Sequence, residues 1–156
     1  SCLPLQFEAR LIMAELTVAL ASDHAGVELK EIFREELTSK GFKVLDLGTN
    51  SKDSVDYPDF ADKMASTLEN AQADRGILIC GTGIGISIAA NRHKSVRAAL
   101  CHNSTDAKFS RLHNDANVLA LGARTMGPEV ALDCLKVFLE TEFEGGRHAA
   151  RVAKMS

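Results

Sequence analysis

The sequence has no apolar run near the ~18 residues that span a bilayer, no surplus of one charge and no paired-cysteine spacing. The first absence removes a membrane-spanning helix. The second, a formal net charge of −3, leaves no basic footprint for nucleic acid or an anionic membrane. Cys2, Cys80, Cys101 and Cys134 are scattered, with neither CxxC nor Cys/His ligand spacing. That argues against a disulfide framework or a zinc site and predicts a reducing, cytoplasmic setting. Residues 1–15 are not expected to act as a secretory leader, because Glu8, Arg10 and Glu15 interrupt the short apolar stretches Leu3-Pro-Leu5 and Leu11-Ile-Met13. Residues 1–15 are expected to be an extension, either an expression-vector remnant or an upstream segment with Met13 near the natural start. Nucleotide signatures are also lacking. Gly81-x-Gly83-x-Gly85 fails GxGxxG at Ile86 and follows the third predicted strand instead of the first, and no Gly-Lys-Ser/Thr follows it.

What is present is regular. The 156 residues, 46% apolar and 25% charged, suffice for one domain over 16–156 that buries about 70% of its unfolded surface. Leu16–Ala21 reads as a first strand, with a turn at Ser22–Gly26 in which Ser22 or Asp23 caps the next helix. Leu29, Ile32, Phe33 and Leu37 repeat at helical spacing up to Gly41. Phe42–Leu47 is a second strand. After a polar loop Tyr57-Pro58 opens a helix with Phe60, Met64 and Leu68 on its buried face. Gly76–Cys80, Val96–Cys101 and Asn117–Leu121 are three more strands, alternating with helices near Ile84–Arg92 and Ser104–Leu112. Gly127-Pro128 starts a long helix carrying Val130, Leu132, Leu135, Phe138 and Leu139, and the charged tail Glu144–Lys154 reads as a last helix after Gly145-Gly146. Five short apolar strands alternating with helices predict an α/β fold. It is a three-layer αβα, Rossmann-like sandwich around a five-stranded parallel sheet. Ligands in such sheets bind beyond the carboxyl ends of the strands. The Asp23-His24 turn, the Cys80 loop, Cys101-His102-Asn103 and the loop after strand five all belong to that edge.

Each chemical candidate has a plainer structural reading. Glycines 81, 83 and 85 serve either tight packing or an anion, which unpaired amides at a helix start attract. A thiol at a strand end is ordinarily core, as expected for Cys134 and Cys101, yet a helix N-terminus favours thiolate over thiol at Cys80. His24 and His113 are single histidines of a kind usually solvated. Arg147 and Arg151, at i and i+4, make either a solvated face or a bidentate phosphate clamp.

Taken together, the segments resemble the ribose-5-phosphate isomerase B family, which shares a superfamily with galactose-6-phosphate isomerase subunits. The matching stretches are Ser22-Asp-His-Ala-Gly26, Asp56-Tyr-Pro58, Gly76 to Asn91, His113-Asn-Asp-Ala-Asn-Val-Leu-Ala-Leu-Gly122 and Glu144-Gly-Gly-Arg-His-Ala-Ala-Arg151. They run from about Leu16 to Val152. The resemblance implies interconversion of ribose 5-phosphate and ribulose 5-phosphate, with no metal or organic cofactor. It implies that Cys80 is the base between C1 and C2, and the uncharged Ile86 places the chain in the cysteine-base branch. His113 resembles the ring-opening acid/base, with Thr82 steering the reacting oxygens. Gly81, Gly83 and Gly85 with Asn114 resemble the enediolate cradle, and Asp23 and Tyr57 the holders of ring hydroxyls. His24, Arg124, Arg147 and Arg151 resemble the phosphate grip. A homodimer or homotetramer with sites at the subunit boundary is implied as well. The His113-Asn-Asp segment and the paired tail arginines favour a pentose phosphate over galactose 6-phosphate, with allose 6-phosphate kept open as a secondary substrate. The rival from another class is a phosphosugar- or nucleotide-binding module without catalysis.

Overall fold

The computed structural model describes residues 16–156, so the expectations for residues 1–15 lie outside the described residues. Five strands form one parallel sheet: β1 (Thr17–Ser22), β2 (Lys43–Asp46), β3 (Arg75–Cys80), β4 (Ala98–Leu100) and β5 (Val118–Gly122). Their spatial order is β2-β1-β3-β5-β4. The three inner strands are buried nearly throughout, so they read as unbroken apolar runs and not as alternating ones. The edge strand β2 stays largely exposed and carries Lys43 and Asp46, charges that blunt an open edge.

Among the described residues six helices accompany the sheet, packing on both of its faces. They are α1 (Val27–Ser39), α2 (Tyr57–Glu69), α3 (Ile84–Asn91), α4 (Ser104–Leu112), α5 (Pro128–Glu140) and α6 (Arg147–Ala153). Phe33 and Leu37 of α1, Ala107 of α4 and Cys134 and Phe138 of α5 pack on Val18, Leu20, Ile77, Ile79, Leu119 and Leu121. Phe60 and Met64 of α2 and Ile86 and Ala90 of α3 pack on the other face, over Ala19, Ala21, Leu78 and Cys80. Three layers result. Gly76 is required here, because a Cβ would collide with the Met64 side chain.

Several boundaries differ from the sequence reading, for local reasons. Strand four shrinks from 96–101 to Ala98–Leu100, and asparagine side chains take over its flanks. Asn91 accepts from the Ala98 amide at 2.7 Å and donates to its carbonyl at 2.9 Å. Asn117 accepts from the Arg97 amide at 2.8 Å. Asp23 caps a single 3-10 turn, His24–Gly26, accepting from the Ala25 amide at 2.9 Å, and α1 follows without a side-chain cap. The last helix begins at Arg147, where the sequence reading set it, directly after the left-handed turn that Gly145 and Gly146 form at φ 71° and 55°.

Candidate active site

Sheet order reverses between β1 and β3, so their carboxyl ends open a crevice, and the first cluster of candidates lies there. Cys80 ends β3 and is 4% exposed. The next residues turn sharply, with Gly83 at φ 77° as the N-cap of α3. That turn points the Gly83 amide at the Cys80 sulfur, donating to Sγ at 3.1 Å. The positive end of α3 thus faces the thiol, where it stabilises an anion. Thr82 is exposed, and its hydroxyl accepts from the Ile84 amide at 3.2 Å.

Neighbouring side chains close over the loop because the glycines leave room. A Cβ on Gly85 would lie 2.5 Å from Cζ of Tyr57, so the phenol ring rests on the first turn of α3. A Cβ on Gly81 would lie 3.2 Å from Nη1 of Arg124, whose amide also donates to the Gly81 carbonyl at 2.9 Å. Asp23 is tied to the adjoining strand, its amide donating to the Ile79 carbonyl at 3.1 Å. His24 Nδ1 accepts from the Val55 amide at 3.2 Å, which puts the proton of the neutral ring on Nε2. Ile86 is fully buried in the second core cluster and cannot supply an acid. Asp23, His24, Tyr57, Cys80, Gly81, Thr82, Gly83, Gly85 and Arg124 therefore meet at one edge.

His113, Asn114, Arg147 and Arg151 do not join them. Helix α4 runs back across the sheet, so His113 at its C-cap lies at the amino edge, with all of β5 between it and the Cys80 loop. Five residues at ~3.3 Å each set the two groups roughly 16 Å apart. Within one chain, therefore, His24 and Arg124 lie at one edge of the sheet and Arg147 and Arg151 at the other. α6 sits with His113, since the Glu144 amide donates to the Leu112 carbonyl at 3.1 Å. The His113 ring stacks on His148, centroids 4.2 Å apart and planes inclined by 16°, with Phe109 at 4.9 Å. Burial, followed by the neighbouring charge of His113, holds the His148 pKa below the ordinary histidine value. Asn114, Arg147 and Arg151 are exposed at this edge.

Sequence reasoning missed the partners that fix this second group. Arg111, nearly buried, donates to Asp115 Oδ1 at 2.8 Å, the Ala116 carbonyl at 2.7 Å and the Thr141 carbonyl at 3.0 Å. It clamps the end of α4 to the chain leading into α6. An arginine at i−4 from an aspartate was the only signal available for it.

Residues 18–155 match the family model described as Ribose/Galactose Isomerase. The chain belongs to that family. The chain is 44% identical over 135 residues to the ribose-5-phosphate isomerase B of Escherichia coli strain K12, covering 86% of this chain and 91% of that one. It superposes on the Clostridium thermocellum ribose-5-phosphate isomerase B with a TM-score of 0.89 and 51% identity, covering 90% and 95% of the two chains. The Mycoplasma genitalium ribose-5-phosphate isomerase B with bound ribulose-5-phosphate gives a TM-score of 0.84 at 44% identity, covering 89% and 93%. Among the described residues no helix is long and apolar enough to cross a membrane.

Proposed function

We propose that this isomerase interconverts ribose 5-phosphate and ribulose 5-phosphate, with Cys80 as the base and the site assembled from two copies of the chain. The observation that carries the chemistry is the Cys80 sulfur held 3.1 Å from the Gly83 amide at the head of α3. As thiolate, Cys80 removes the proton from C2 of the open aldose. The electrons move into an enediolate, whose oxygens meet the amides of the glycine loop. The same proton returns to C1 while the O2 hydroxyl proton passes to O1, leaving the C2 carbonyl of the ketose, so no outside oxidant or reductant enters. Thr82 steers the reacting oxygens. Asp23 and Tyr57 hold hydroxyls.

The substrate enters as a ring. His113 takes the proton of the anomeric hydroxyl and passes it to the ring oxygen as the bond between C1 and that oxygen opens. Asn114 joins the oxygen cradle, while His24, Arg124, Arg147 and Arg151 grip the phosphate and set the sugar against the thiol. Within one chain these roles fall in two groups separated by the length of β5. A second copy supplying His113, Asn114, Arg147 and Arg151 brings them to one sugar. The exposed apolar face of α3 supports such a contact, with Ile84 51% and Ile88 61% exposed at i and i+4 beside the half-exposed Tyr57.

The test is direct measurement of ribulose 5-phosphate formation, with hexose 6-phosphates in parallel, on the wild type and Cys80→Ala. The variant is expected to lose at least about a thousandfold in kcat while keeping its fold, the scale of a lost proton-transfer group. Unchanged kcat in Cys80→Ala removes Cys80 as the base. Preference for the hexose phosphates overturns the pentose assignment, and binding of either sugar without turnover favours a non-catalytic module.

A further inference from the structure

The amino-edge cluster contains an arrangement that ring opening does not use. His113, Glu144 and His148 each offer one donor atom, and these atoms all lie within 4.8 Å of one another. No other trio of histidine, cysteine or carboxylate side chains is so placed among the described residues. His148 is 5% exposed, and its Nε2 is buried with no hydrogen-bond partner. A buried nitrogen without a partner is costly and calls for an explanation. The left-handed turn at Gly145-Gly146 folds Glu144 back beside the imidazoles.

We propose that His113, Glu144 and His148 form a binding site for a divalent transition ion of the zinc type, whose occupation stops the isomerase by withdrawing His113. Two imidazoles and one carboxylate form a donor set that zinc accepts, with water in the fourth position. The same set is poor for calcium and magnesium, which take mainly oxygen ligands. In the stacked arrangement the two rings lie nearly parallel, and an ion shared in both ring planes requires one to turn. His113 is the ring that moves, being only half-buried at a helix end, while His148 stays fixed in the interior. Arg147 and Arg151 on the same helix raise the local positive potential, so the site binds less tightly than a structural zinc centre. Glu144 supplies the charge that offsets them. The inhibition rests on His113 being the ring-opening group, whereas the binding stands on the cluster alone.

The experiment titrates zinc chloride calorimetrically into chelator-stripped wild type, Glu144→Gln, His148→Gln and Cys80→Ala, with ribulose 5-phosphate formation followed directly in the active samples. One zinc per chain is expected in the wild type and in Cys80→Ala. At least a tenfold weaker affinity is expected in Glu144→Gln and His148→Gln. Wild-type turnover should fall as zinc binds and return with EDTA, and Glu144→Gln should need at least tenfold more zinc for the same loss. Cobalt in place of zinc should give visible bands that His148→Gln lacks. Equal affinity in Glu144→Gln and wild type overturns the site, as does loss of binding in Cys80→Ala, which would place the ion on the thiol. Should His148→Gln fail to fold by circular dichroism, the exposed Glu144→Gln carries the decision alone. Zinc bound at the trio with turnover unaffected overturns the inhibition. Zinc bound in a wild type with no turnover at all removes the isomerase reading and supports the site.

Discussion

A thiol that exchanges protons needs shelter and a donor for its anion, and Cys80 has both in the strand end and the Gly83 amide. Its two described companions are at least as deeply buried but have no such backbone amide aimed at the sulfur. Burial pushes the Cys101 thiol up to about 12 and the Cys134 thiol up to about 11, leaving almost no thiolate in neutral solution. Iodoacetamide at pH 8 should therefore label the Cys80 peptide first, and the Cys101 and Cys134 peptides only after unfolding. Mass spectrometry of the digests decides it, and Cys101 labelling as fast as Cys80 would contradict the assignment. Glycine 85 makes a second prediction at this scale. In Gly85→Ala the added methyl displaces the Tyr57 ring, which is free to swing outward because it is half-exposed. A loss of roughly tenfold in kcat/KM is expected, ~1.4 kcal/mol of transition-state binding, with thermal stability nearly unchanged. Unaltered kinetics would remove Tyr57 from the substrate's surroundings.

The elements are fastened by contacts that are not all apolar. Lys30 of α1 is 1% exposed and donates to both carboxylate oxygens of Asp46 on β2, at 2.7 and 2.8 Å, and to Asn50 at 2.8 Å. Removing either partner should have unequal effects. Asp46→Ala strands a buried ammonium and is expected to cost about 3–5 kcal/mol. Lys30→Met leaves a partly exposed carboxylate and should cost distinctly less. Urea denaturation of both variants checks the order, and equal losses would show that the pair acts by packing alone. This pair also marks the limit of what the sequence disclosed. Helical spacing at Leu29, Phe33 and Leu37 was legible because burial follows the 3.6-residue period. Lys30 lies next to that stripe, and nothing local says that its partner waits sixteen positions on. The same limit applied to the site. Cys80 with Gly81–Gly85 is continuous in the chain and was readable as a unit. Placing His113 at the opposite edge required knowing which way α4 runs, and joining Glu144 to His148 required the turn between them.

At the scale of the molecule, the proposed sharing of one site between two copies of the chain can be tested by subtraction. Cys80→Ala and His113→Ala should each be inactive alone. Unfolded together in equal amounts and refolded, half of the resulting dimers are mixed. Each mixed dimer with twofold symmetry collects both lesions in one site and leaves the other intact. About a quarter of the wild-type activity should therefore return, on the statistics of a closed twofold dimer. No recovery would confine each site to a single chain.

The strand order carries one more consequence, this time for the path by which the sheet forms. β5 comes last in the chain yet lies between β3 and β4, and β4 pairs with no other strand. A partly folded chain can zip β2, β1 and β3 together as each emerges, but β4 must wait at the margin for its only neighbour. Until β5 docks, β3 presents a raw apolar border, the kind that recruits strands from other molecules. Closure of the sheet is thus a late event that joins partners as distant in the chain as Gly76 and Val118. Nearly parallel disappearance of probes at β1 and β4 during unfolding is the cooperative behaviour this arrangement imposes.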